Sequence, residues 1–154
     1  MRNRIDVVHA QGLHRITVPV HRPSGVKCSQ FELRLVDDGW SRRFLQSLRT
    51  CYGAAPYFDH FFDEVSGLLG DSDTLGDLNL KSTRWCASEL NLSFELNTSS
   101  KQVDPFELAD RWLEPAYLRV FSDRSDFVQG ASVLDALFHL GPEAARHIES
   151  IERR

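Results

Sequence analysis

The sequence predicts an α/β fold: a mixed sheet that opens on an N-terminal hairpin and is covered by helices, with α+β as the alternative. Three observations point there. Alternation of apolar and polar residues dominates the first third of the chain, and apolar stripes at helical spacing dominate the middle. Alternation then returns at Leu92, Phe94 and Leu96 before helical patterns resume, so strands and helices interleave. The 154 residues fit a single domain, 1–154, with no internal boundary. A chain of that length can bury roughly 70% of its unfolded surface.

The elements follow in order. Ile5 to Val8 is a short apolar run, Gln11-Gly12 is a turn signal, and Leu13 to Val20 alternates, which together make a hairpin. Pro19 makes the end of that second strand an edge or an exit. Phe31, Leu33 and Leu35 alternate with Glu32 and Arg34, the pattern of a half-buried strand. Trp40, Phe44, Leu45, Leu48, Cys51 and Tyr52 form one helical stripe, opposite Arg42, Arg43, Gln46 and Arg49. Asp37 and Asp38 supply a cap and negative charge at its start, and Gly53 ends it. Pro56 stands where a first-turn proline opens a second helix, whose broad apolar face runs from Tyr57 to Leu69. A third helix, capped within 71–74, aligns Leu75, Leu78, Ser82, Trp85, Cys86 and Leu90, with Asn91 as a left-handed stop. The strand over Leu92, Phe94 and Leu96 comes next. Asp104-Pro105-Phe106-Glu107 then starts a helix that runs to about Leu113, ahead of Pro115. Ala116 to Phe121 is a short strand. Ser132 to Asp135 resembles a capping box that opens a helix with Val133, Leu134, Leu137 and Phe138 inward. Gly141-Pro142 breaks that helix, and a polar helix covers Glu143 to about Glu152.

Composition excludes several classes of function. The net charge is −4, which argues against a nucleic-acid partner. No apolar run approaches the roughly 20 residues that span a bilayer. Met1-Arg2-Asn3-Arg4 has charge but no following apolar core, so no signal peptide is visible and the expected location is cytoplasmic. Cys28, Cys51 and Cys86 are scattered reduced thiols, and the histidines show no ligand spacing, so no metal site is expected. No glycine-rich phosphate loop or nucleophile elbow occurs, and the sequence leaves any cofactor unknown.

A few constellations could do chemistry. Asp135 and His139 lie four apart on a helix and can meet on one face. A carboxylate orienting an imidazole is a workable general base, although the pair is equally an ordinary helix-surface contact. Arg2, Asn3 and Arg4 put two guanidinium forks on one strand, which suits phosphate or carboxylate, against the plain reading of a solvated edge. Tyr52, Pro56, Tyr57 and Phe58 either line a ligand pocket or form a helix–helix seam. Asp77 and Asn79 could hydrogen-bond a sugar hydroxyl or could simply be exposed helix positions.

Three blocks resemble the WbqC-like family. Arg2-Asn3-Arg4-Ile5 and Ile16-Thr17-Val18-Pro19-Val20 are similar to its N-R-N-x-I and L-x-V-P-V segments. Trp40 to Phe58 resembles its W-x3-H-x3-L-x3-Y-x-x-A-P-Y-F block, with Leu75-Gly76-Asp77-Leu78-Asn79 matching the following L-x-x-L-N. Ser132 to Pro142 is similar to its closing S-x-L-D-x-L-F-x-x-G. Phe44 stands where the family usually has a histidine, and Arg119 stands where a glutamine usually follows Tyr117. Members usually begin with a further strand and turn before N-R-N and carry an extra strand–helix unit before the closing block. The resemblance therefore implies a shortened member. It also implies a group-transfer role, as a transferase, in the biosynthesis of O-antigen, other surface polysaccharide or secondary metabolites. The partner implied is a small-molecule substrate such as a nucleotide sugar or an acyl or aminoacyl donor, bound near Arg2, Asn3, Arg4, Tyr52, Pro56, Tyr57 and Asn79. The alternative is a non-catalytic binding or assembly module, or a degenerate member. An open sheet edge at the first strand would favour a homodimer.

Overall fold

The computed structural model describes residues 3–22, 28–93, 112–113, 115–124 and 126–153. Arg2, the centre of the strand over Leu92 to Leu96, and the helix start at Asp104 lie outside them.

The fold is mixed α/β. It opens on an antiparallel hairpin, β1 (Arg4–His9) and β2 (Gly12–Thr17), in register from Arg4 opposite Thr17 to His9 opposite Gly12. Gly12 adopts φ 106°, which a side chain would resist, so the turn closes there. The chain then meets the first difference from the sequence reading. Gln30–Glu32 is a 3-10 turn, not the start of a strand. Ser29 accepts from the Phe31 amide at 3.2 Å, and Glu32 accepts from the Ser29 amide at 2.6 Å. This Ser-x-x-Glu capping box overrides the alternation and leaves Phe31 half-exposed. Strand-like pairing survives only as isolated bridges, Val20 with Leu35 and Arg34 with Thr74. They sew fully buried Leu33 between the hairpin's exit and the next helices.

Helix α1 (Trp40–Tyr52) buries Trp40, Phe44, Leu48, Cys51 and Tyr52, the expected stripe apart from Leu45, which is half-buried. Its N-cap residue is Gly39 at φ 77°, while the Asp38 carboxylate accepts from the Trp40 amide at 3.0 Å and is braced by Arg43. Helix α2 (Phe58–Gly70) begins two residues after Pro56 and buries Phe58, Phe61, Phe62 and Val65. Helix α3 (Leu75–Glu89) is capped by Thr74, whose hydroxyl accepts from the Asp77 amide at 3.1 Å. It stops ahead of Asn91, which is left-handed at φ 52° as expected.

The last third departs further. Trp112–Leu113, expected at a helix end, is β3, paired antiparallel with β4 (Glu152–Arg153), which replaces the end of the expected polar helix. Residues 116–121 form an irregular segment and a turn in place of a strand. Helix α4 (Val133–Leu140) buries six consecutive residues, Leu134 to His139. A 3-10 turn and the short helix α5 (Ala144–Glu149) follow. Among the described residues the strands form two antiparallel pairs. The core joins α1, α2 and α4 through Tyr52, Phe58, Phe62 and Phe138, whose rings lie about 5 Å apart in tilted contacts that exceed simple area burial in worth.

Candidate functional site

Between the hairpin, α2, α3 and the start of α4 lies a cleft of about 350 Å³. Its rim carries Asn3 and Arg4 from the hairpin and Asn79, Ser82 and Thr83 from α3. Its floor is apolar, with Phe44, Val65, Leu69, Leu78, Trp85 and Leu134. Helical periodicity explains the α3 contribution, because Leu75, Leu78, Ser82, Trp85 and Cys86 fall on one side of the helix. The rim is held by its own hydrogen bonds. Asn3 Nδ2 donates to the Val18 carbonyl at 2.8 Å, and Asn79 Nδ2 donates to Gln30 Oε1 at 2.7 Å. Ser82 and Thr83 hydroxyls both donate to the Asn79 carbonyl, at 3.2 and 2.6 Å. In the floor, Trp85 Nε1 donates to the Glu64 carboxylate, and burial pushes the Cys86 thiol up to about 11, so it stays protonated at neutral pH. Phe44, where the family pattern has a histidine, makes part of this apolar floor.

Asp135 and His139 do come together, in a different place. Asp135 is fully buried. Its Oδ2 accepts from Arg119 Nε at 2.5 Å and from the Tyr117 hydroxyl. Arg119 also donates to the Val128 carbonyl at 2.7 Å, and its guanidinium stacks 3.9 Å from the Phe127 ring centre. His139 Nδ1 lies 2.7 Å from the Asp135 backbone carbonyl, and Nε2 accepts from the Val120 amide at 3.0 Å. That pattern fixes the neutral tautomer with its proton on Nδ1. Burial lowers the His139 pKa, with Arg119 adding to it, against the pull of the Asp135 carbonyl and charge. The carboxylate's Oδ1 is 3.7 Å from Nδ1 and has no hydrogen bond among the described residues. The imidazole is therefore oriented by backbone groups rather than by the carboxylate, and both its nitrogens are engaged. Neither Asp135 nor His139 lines either of two clefts, the one above and one of about 390 Å³ beside Tyr117, Arg119 and Phe127. Ser132 caps α4 through the Leu134 amide, but Asp135 points inward and does not close the box.

The other expected ligand residues divide. Asn3, Arg4 and Asn79 share the first cleft. Tyr52 is fully buried; its hydroxyl accepts from the Val8 amide at 2.8 Å, and burial, then the Asp135 charge, raises its pKa. Pro56 is exposed in the turn before α2, and Tyr57 packs its ring on Gly141 while its amide donates to the Phe138 carbonyl at 3.0 Å. Tyr52 and Tyr57 pack in the helix seam, the other reading of that block, and none of the three lines the first cleft. Ser82, Thr83, Trp85 and Cys86 were not singled out from sequence as ligand residues, although Ser82 interrupting an apolar stripe was a signal. Tyr117 and Arg119 stand out in sequence only by the departure at Arg119 from the family pattern, and nothing local ties them to Asp135, which they reach from an irregular segment 18 and 16 residues away. Among the described residues no cluster of histidine, cysteine or acidic side chains could hold a metal ion.

No curated protein and no solved structure matches the chain. The sequence model of the WbqC-like protein family matches residues 1–114, which takes in the hairpin, α1, α2 and α3 but not α4. Covering 114 of 154 residues and every element that lines the cleft except α4, that match shows that the chain belongs to the WbqC-like protein family.

Proposed function

We propose that the protein binds a phosphorylated or nucleotide-linked small molecule in the cleft at Asn3, Arg4 and Asn79. On this reading it serves group transfer in the biosynthesis of O-antigen, other surface polysaccharide or a secondary metabolite. The observation that supports the reading is convergence. Three residues drawn from two distant sequence blocks, Asn3-Arg4 and Asn79, share one cleft. Arg4 offers a planar fork for a phosphate at the rim, above an apolar floor.

A thermal-shift panel of nucleotide sugars, ATP, coenzyme A thioesters and simple phosphates tests it. A ligand at about 100 times its dissociation constant stabilises the folded state by roughly 2.7 kcal/mol, a shift on the order of 5–10 °C in a domain this size. Arg4→Ala, at an exposed position, should remove that shift and leave the melting temperature of the free protein unchanged. A panel with no shift at all would sink the reading.

A second reading, a non-catalytic binding or assembly module, is favoured by one specific observation. The Asp135–His139 pair has its imidazole nitrogens occupied by the backbone and does not line the cleft. On that reading ligand binds with the same Arg4 dependence, and mass spectrometry finds no product after prolonged incubation with donor and acceptor.

A further inference from the structure

We infer that the cleft takes an amphiphilic anion, with an alkyl or acyl chain lying along the floor and a phosphate-type head at Arg4. This rests on the proposed binding of a phosphorylated ligand there, and narrows its class. Side-chain donors around the floor are engaged within the fold. Ser82 and Thr83 donate to their own helix, Trp85 donates to Glu64, and Asn3 donates to Val18. A sugar ring in that floor would replace its hydrogen bonds to water only in part, which is unfavourable. An alkyl chain has none to surrender and gains contact with Val65, Leu69, Leu78 and Trp85. Size agrees. The cleft, about 350 Å³, is roomy enough for an alkyl chain. Charge agrees as well, because Arg4 is the charged residue on the lining and it is cationic.

Titration calorimetry with butyl, hexyl, octyl and decyl phosphate, below their micelle concentrations, is the test. Affinity should rise roughly fourfold per added methylene until the chain outgrows the floor. Decyltrimethylammonium, with the same chain and the opposite head, should bind at least tenfold more weakly. Ser82→Phe, which fills the cleft from α3, should flatten the chain-length series, and Arg4→Ala should keep the series but lose the preference for phosphate. The chain-length series and the decyltrimethylammonium comparison use the unmodified protein, so they hold even if a variant folds poorly. Sedimentation with phosphatidylglycerol vesicles separates the sources. Co-sedimentation abolished by Ser82→Phe assigns the chain to a bilayer lipid, and binding of decyl phosphate without co-sedimentation assigns it to a free amphiphile. Affinity that is flat with chain length, while short phosphates and nucleotides still bind, overturns this inference and leaves the phosphate site standing. Failure of every phosphate to bind overturns both.

Discussion

Asp135 carries its carboxylate where no solvent reaches, and the residues around it compensate for that burial. Arg119, also buried, supplies the opposite charge, Tyr117 a second donor, and Phe127 a stacking face. Breaking such a pair from one side leaves an unmatched charge in the interior. Arg119→Met should therefore lower stability by about 3–5 kcal/mol in urea denaturation, and Arg119→Met with Asp135→Leu should recover most of it. A single variant within 1 kcal/mol of the parent would show that the pair is not buried as described. His139 makes a pH prediction at the same scale. Its folded pKa is lowered, so the unfolded chain binds the proton more readily. Stability is then complete above the unfolded value of about 6.5 and falls on acidification below it, by at most about 1.4 kcal/mol per pH unit. Melting scans between pH 7.5 and 5.5 should show a drop for the parent that is smaller in His139→Gln. That Asp135 and His139 touch was legible from their four-residue spacing. Which atoms they use was not, because Arg119, Tyr117 and Val120 arrive from a segment without periodicity.

The helices were the most legible elements, since each presents a stripe that only a 3.6-residue period produces. Errors came where a local hydrogen bond outweighed a pattern, as at Ser29 and Glu32, or where a pairing partner is distant, as for Trp112 with Arg153. The α1–α2 corner illustrates what pattern alone leaves open. Its Pro56-Tyr57-Phe58 run suggested either a pocket or a seam, and the seam is what forms, with Phe58 against Phe138 and Tyr57 across Gly141. Gly141 sits at φ 52°, ψ −123°, and a Cβ there would lie 2.6 Å from the Tyr57 ring. Gly141→Ala thus combines backbone strain with a clash and should destabilise by roughly 2–4 kcal/mol. Gly39→Ala is the internal comparison. It has a positive φ of 77° but nothing closer than 3.9 Å, so strain acts alone and the loss should be nearer 1 kcal/mol. Equal losses in chemical denaturation would mean that Tyr57 does not hold the corner against α4.

Across the whole molecule, the strand edges decide how copies can meet. The sequence left β1 as an open edge, yet that edge is closed. The Asp6 carbonyl accepts from the Ser132 amide at 2.8 Å and the Val8 amide donates to Tyr52, so α1 and the start of α4 take the place of a neighbouring strand. No composition or spacing could have shown this, because it depends on a helix 126 residues away in the chain folding back on β1. Among the described residues β2 pairs only with β1. Asp6 stands opposite Arg15, and its carbonyl faces away from β2, so the Arg15 peptide groups face away from β1 in turn. Unpaired peptide groups of this kind are templates for a second copy, and with the β1 edge closed the β2 edge is where a homodimer is to be tested. Proline at an outward-facing amide removes a donor the hairpin does not use. Arg15→Pro also removes the ion pair with Asp6, but that pair is solvent-exposed and adds little. Light scattering coupled to size exclusion, over rising protein concentration, should show a monomer–dimer equilibrium for the parent and a monomer for Arg15→Pro at a nearly unchanged melting temperature. A parent that stays monomeric at every concentration would remove the dimer, and a dimer indifferent to Arg15→Pro would move the contact to another face.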